Sequence, residues 1–218
     1  PSVTLSAGDT LTVGNAGVIT NFVDAAQATS VVYISNAGHI GNAAISRGIY
    51  FTQSRFSGGI VNSGTVLAAG TSINFLNSTL SGGLRNSGVI RGVNTFGIYF
   101  SQSILSGGIV NSGTILGGSA PLYFINSAIS GGLTNSGYVH GAVYDVFLSG
   151  STLSGGLVNQ AGGSISGGHG VSVSGNSELL GGISNAGYIS SLYNSGWITA
   201  SGAAINVSAG GKIGFISN

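Results

Sequence analysis

The side chains able to do chemistry in this chain are few: four carboxylates, Asp9, Asp24, Asp145 and Glu178, and three imidazoles, His39, His140 and His169. Cleaving a glycosidic bond needs two carboxyls held about 5–10 Å apart across it. Asp9 and Asp24 fall near an irregular start, and Asp145 and Glu178 stand 33 residues apart. A lyase would need clustered aspartates for calcium with an arginine or lysine as base, and no such cluster is present. The histidines share no spacing suited to one metal ion. Asp145 follows His140 by five residues, within reach of a hydrogen bond, and the two read as a surface polar pair rather than a catalytic dyad. Arg85 and Arg91 flank Asn86-Ser87-Gly88, and Arg55 precedes them by one repeat. They read as solvated side chains, at most a small cationic spot. With no cysteine there is neither a disulfide nor a thiolate metal site. These residues predict no catalytic, cofactor-binding or metal site, and a polysaccharide-active enzyme is the least favoured reading.

Binding is better served than catalysis. Tyr50, Asn74, Tyr99, Tyr123 and Phe147 recur at intervals of 24 or 25 residues, each just before an apolar residue. An exposed stripe of this kind stacks on sugar rings or packs against another protein. Tyr138, Tyr188 and Trp197, each directly after an Asn-x-Gly, form a second possible patch. An ice-binding face would need regular threonine ranks, and Thr65 and Thr114 alternate with Val89 and Tyr138.

What must position these residues is a repeat. Asn-Ser-Gly or Asn-Ala-Gly returns about every 24 residues, with its asparagine at Asn15, Asn36, Asn62, Asn86, Asn111, Asn135, Asn159, Asn185, Asn194 and Asn218. A fixed period of this length means one supersecondary unit stacked on copies of itself. Eight residues before the central asparagines stand Ser54, Ser78, Ser103, Ser127, Ser151 and Ser177. Apolar residues follow each serine at even spacings, which is strand periodicity with one face inward. Two further apolar columns precede it, the second carrying Phe51, Phe75, Phe100 and Phe124. The expected fold is all-β: a single-stranded, right-handed parallel β-helix with about 24 residues and three short strands per coil. Gly-Gly pairs mark corners. The asparagines Asn62, Asn86, Asn111, Asn135, Asn159 and Asn185 are expected to tolerate a left-handed conformation there and to join their amides in a structural corner ladder.

Three segments are expected. Residues 1–48 read as irregular N-terminal capping coils, with 23–27 a loop or short helical turn. Residues 49–184 read as regular coils, with a bulge at Gln160-Ala161-Gly162-Gly163. Residues 185–218 read as a short-period coil, since Asn185 and Asn194 are nine apart, which either skips part of a coil or uses two Asn-x-Gly corners in one turn, then an incomplete repeat. There Ile198, Ile205, Val207 and Ile216 take the register of Val66, Ile49, Phe51 and Ile60. Asn218 falls on the next corner, as if the chain stopped in mid-repeat.

Five basic and four acidic residues give a net charge of +1, scattered too widely to attract nucleic acid. No apolar run is long enough for a transmembrane helix, and the first residues do not read as a signal peptide.

The run Ser-x-Leu/Ile-Ser-Gly-Gly-Ile/Leu-x-Asn-Ser-Gly-x-Ile/Val, from about Ser54 to Asn194, resembles the passenger repeats of bacterial type V autotransporters, and Leu5-Ser6-Ala7-Gly8-Asp9-Thr10-Leu11 resembles the opening of such passengers. The resemblance implies a secreted or cell-surface β-helix of a Gram-negative bacterium, delivered across the outer membrane by a C-terminal β-barrel. That family includes adhesins, self-associating proteins, proteases and toxins. No protease motif of the Gly-Asp-Ser-Gly type occurs, so a passenger stalk or a segment of one is expected.

The function expected from these residues is that of a non-enzymatic extracellular structural protein or adhesin. It would self-associate into filaments through its lateral face or coil ends. The alternative is a carbohydrate-binding adhesin using the Tyr50–Phe147 stripe. Partners are then the chain itself, or cell-surface and host glycans and proteins.

Overall fold

A computed structural model describes residues 2–27 and 33–218. Among the described residues every strand pair is parallel, and each strand inside a sheet hydrogen-bonds to its equivalents one coil before and one coil after. The coil beginning at Arg47 shows the plan: strands Arg47–Thr52, Arg55–Phe56, Ile60–Asn62 and Thr65–Ala68. Among the described residues, stacking these segments makes four sheets of ten, seven, nine and nine strands, called here sheets I, II, III and IV in coil order. The body is a β-solenoid. The registers Ile49↔Ile73, Leu80↔Leu105, Ile60↔Leu84 and Val66↔Ile90 are those of a 24- to 25-residue repeat.

The coil therefore has four strands where three were expected. A bend at Gln53–Ser54 cuts the first expected strand in two, and it uses no glycine. Gln53 has φ of 50°, and its equivalents Asn77, Gln102 and Asn126 have 49°, 50° and 46°. Gly150 and Gly175 continue the column at 57° and 61°. This is the left-handed region, uncommon for residues with a side chain. The ladder asparagines, expected to adopt it, have no positive φ. The Gly-Gly corners do need glycine: Gly108 has φ of 70°, and a Cβ there would lie 2.5 Å from the Gly131 carbonyl oxygen of the next coil.

Within each strand alternate residues point inward and stack as columns. Phe51, Phe75, Phe100 and Phe124 are fully buried, with successive ring centroids 4.5, 4.4 and 5.6 Å apart. Burying a side chain of this size contributes about 1.5–3 kcal/mol, so the columns stabilise the coil without disulfides.

In the flanking segments two expectations change, the loop or helical turn at 23–27 and the registers of the last isoleucines. Val23–Ala26 is a strand of sheet I, held between Val3–Thr4 and Arg47–Thr52. The described part of residues 1–48 thus lies in the same ladders, without a strand in sheet II. Near the other end, Asn194 marks the corner from sheet I to sheet II, whereas Asn185 marks that from sheet III to sheet IV, so one turn uses two Asn-x-Gly corners, as one of the two expectations had it. Asn194 pairs with Val173 in sheet I, while the register partner of Asn185 is Val207. The nine-residue spacing reflects one tripeptide occurring in two sheets. Ile198 follows Leu179, Ile205 follows Ile183 and Ile216 follows Leu192, which replaces the registers expected for them. Asn218 meets Asn194, whose Nδ2 donates to its Oδ1 at 2.6 Å. The bulge after Asn159 is present as a turn at 161–162 before the strand Ser164–Ile165.

Candidate interaction faces

The repeated asparagines end the strands of sheet III with their side chains inward. Asn36 Nδ2 donates to Asn62 Oδ1 at 2.7 Å, and the pattern runs on through Asn86, Asn111, Asn135, Asn159 and Asn185 at 2.7–2.9 Å. The second Nδ2 hydrogen turns to backbone carbonyls, in Asn111 those of Gly113 and Tyr138. All seven are buried. Val13 occupies the position before Asn36 and Val207 the one after Asn185, so Asn15 lies outside the ladder. Among the described residues the Asn36 Oδ1 has no partner. These amides are spent on one another and leave little for a ligand.

A second ladder runs through the serines, whose recurrence in the sequence did not announce it. The Ser78 amide donates to Ser103 Oγ at 3.1 Å, Ser103 to Ser127 and Ser127 to Ser151, each at 3.1 Å. Each hydroxyl donates back to the carbonyl two residues earlier, as Ser103 does to Ser101 at 2.8 Å. These serines fill the inside of the bend between sheets I and II.

Tyr50, Asn74, Tyr99, Tyr123 and Phe147 stand in one outward column of sheet I. Extra rings from the first positions of the same strands enter it. Phe96 stacks on Tyr99 and Tyr123 at 5.0 and 4.4 Å, and Tyr144 meets Phe147 at 4.5 Å. His169, Tyr193 and Phe215 extend the row. Tyr123 and Phe147 lie 4.7 Å apart with planes only 14° from parallel. The rings therefore turn their faces toward each other along the axis and only edges toward solvent. They are half-buried rather than exposed, and burial raises the Tyr123 phenol above its ordinary range, with Tyr144 and Tyr99 adding to the effect. Sugar stacking needs free ring faces, and here most are taken. Arg47 lies 4.1 Å above the Tyr50 ring. Asn74 is buried, and its Oδ1 has no partner.

The carboxylates do not converge. Asp145 is not paired with His140 at the surface. It is fully buried at the corner between sheets IV and I, where the Gly141 amide donates to its Oδ1 at 2.7 Å. Burial pushes its carboxyl up to about 7, while the Gly141 bond and the nearby Ser190 hydroxyl pull the other way. Among the described residues Asp145 Oδ2 and Ser190 Oγ have no partner of hydrogen-bond geometry. The glycines of the following coil make room, since a Cβ on Gly167 would lie 2.3 Å from Asp145 Oδ1. Glu178 is exposed on sheet II, away from this corner. His140 is exposed on sheet IV and its Nδ1 bonds the Ser166 carbonyl. Arg55, Arg85 and Arg91 lie on sheets II, III and IV respectively, so they form no common spot. Tyr138 and Tyr188 share sheet IV, whereas Trp197 is on sheet II. Among the described residues no three His, Asp or Glu side chains gather as a metal site. Comparison with protein families, curated proteins and solved structures gives no match.

Proposed function

We propose that the chain is a non-enzymatic extracellular structural protein of the autotransporter-passenger kind, adhesin- or matrix-like, which works by lateral self-association. One observation supports this above the rest. On sheet III each three-residue strand presents a single outward side chain, and from Val110 through Thr134 and Val158 to Ser184 that column is small and uncharged. Flat sheet faces of this kind pack about 10 Å apart, and little charge opposes the approach of a second copy. The ring arrangement on sheet I favours this over sugar binding by the Tyr50–Phe147 stripe. Sedimentation velocity and electron microscopy over a concentration series test the reading. Oligomers or filaments are expected, with Thr134→Lys and Val158→Lys together returning the protein to monomer. A protein that stays monomeric at high concentration would sink the proposal.

A further inference from the structure

Sheet IV differs from the other faces in charge. Its outward positions carry His39, Arg91, His140 and Lys212, and no carboxylate points from it. Asp24 lies on sheet I, Asp145 is buried, Glu178 is on sheet II, and Asp9 precedes the first strand of sheet III. Arg91, His140 and Lys212 are all exposed. Arg91 and His140 are two strands apart with Leu116 between them, about 10 Å along the axis. Three further steps reach Lys212, about 14 Å on.

The same face has relief and free aromatic surface. Arg91 and His140 border a cavity of about 150 Å³ floored by Gly92 and Gly117. Tyr188 and Lys212 border a groove of about 410 Å³, opened by the glycines of the bulge after Asn159. Tyr138 and Tyr188 are exposed, at 39% and 43%; Tyr138 lies parallel to the His140 ring, 5.6 Å away, with its other face open, and Tyr188 stacks on no ring among the described residues. Cations at intervals, tyrosines beside two of them and hydroxyl-bearing Thr114 and Ser164 in the same column suit a long, hydroxylated, negatively charged chain lying along the axis. A nucleic acid would call for a denser cationic track.

We infer that sheet IV binds a linear anionic polysaccharide, with Arg91 and Lys212 meeting its acidic groups, His140 donating or accepting a hydrogen bond, and Tyr138 and Tyr188 packing against sugar rings. This inference does not depend on self-association, and the monomeric fraction serves to test it. Polygalacturonate is the probe, with dextran of matched length as the neutral control, both at low ionic strength. Retention by immobilised polygalacturonate but not by dextran is expected, weakening as salt screens the contacts. Arg91→Gln and Lys212→Gln each weaken binding about two- to fivefold, the scale of one exposed charge contact, and Tyr188→Ala weakens it as well. Arg55→Gln and Arg85→Gln, on other faces, leave it unchanged. Unaltered thermal melts establish that every variant keeps its fold. No retention by polygalacturonate, equal retention by dextran, or an equal loss in the Arg55 and Arg85 variants overturns the inference.

Discussion

Two buried polar residues show how much one side chain carries in a body so poor in charge. Asn111 accepts from Asn86 and donates to Asn135, so Asn111→Ala leaves a donor on one side and an acceptor on the other without partners. A buried orphan costs about 1–3 kcal/mol, and urea unfolding should show a loss on that scale with the ladder cut in two. Asp145 acts through pH. Its folded carboxyl titrates near 7, above an unfolded aspartate near 4. The folded state thus keeps a proton that the unfolded state gives up. Stability is full below pH 4, falls as pH rises from about 4 to about 7, and levels off above, a loss of up to roughly 4 kcal/mol. Asp145→Asn keeps the shape and removes the proton, so its melting temperature should stay flat across that window and exceed the parent's at pH 8. A parent whose stability rises between pH 4 and 7 would contradict this account.

At the scale of the strand and the bend, the left-handed column is the sensitive element. Gln102 stands at φ of 50°, a conformation that costs a side-chain-bearing residue about 1–2 kcal/mol. Gln102→Gly removes that cost but loosens the unfolded chain by about 0.4–1 kcal/mol, so stability should hold or rise slightly. Gln102→Val adds β-branching and should lower the denaturation midpoint clearly. The same bend explains what the sequence concealed. Coil length, inward columns and the asparagine ladder were legible because each leaves a fixed residue type at a fixed spacing. The fourth strand was not, because glutamine and asparagine stand where glycine would have marked a break. Asn194 misled for the opposite reason: Asn-Ser-Gly is a local motif, whereas a column belongs to the register, and only pairing shows that Asn194 meets Val173 rather than Asn185. The outward stripe was legible as alternation, but Phe96 and Tyr144 join it from the first positions of their strands, in a column whose other members, such as Ala120 and His169, vary in type. Asp145 gave no sign of burial, since alternation from the inward Val146 places it outward, whereas both are buried.

Over the whole molecule, each coil touches only its neighbours, so stability adds up as coil and interface contributions along one dimension. The coils are not equal. Between Asn62 and Asn185 the ladders and apolar columns are complete and buried, whereas Ile198, Ile205 and Ile213 are only partly buried. Hydrogen exchange should therefore be slowest in the strands from Thr71 to Ile125 and fastest beyond Trp197; uniform protection along the chain would refute this. The asparagine ladder adds one more property. Every amide donates toward the following coil, from Asn36 to Asn185, and the serine amides point the same way. A side-chain amide has a dipole like that of a peptide unit, about 3.5 D, and aligned hydrogen bonds reinforce one another. The solenoid is thus an electret in miniature, negative toward Asn36 and positive toward Asn185. Two such rods lying side by side are lower in electrostatic energy when they run in opposite directions.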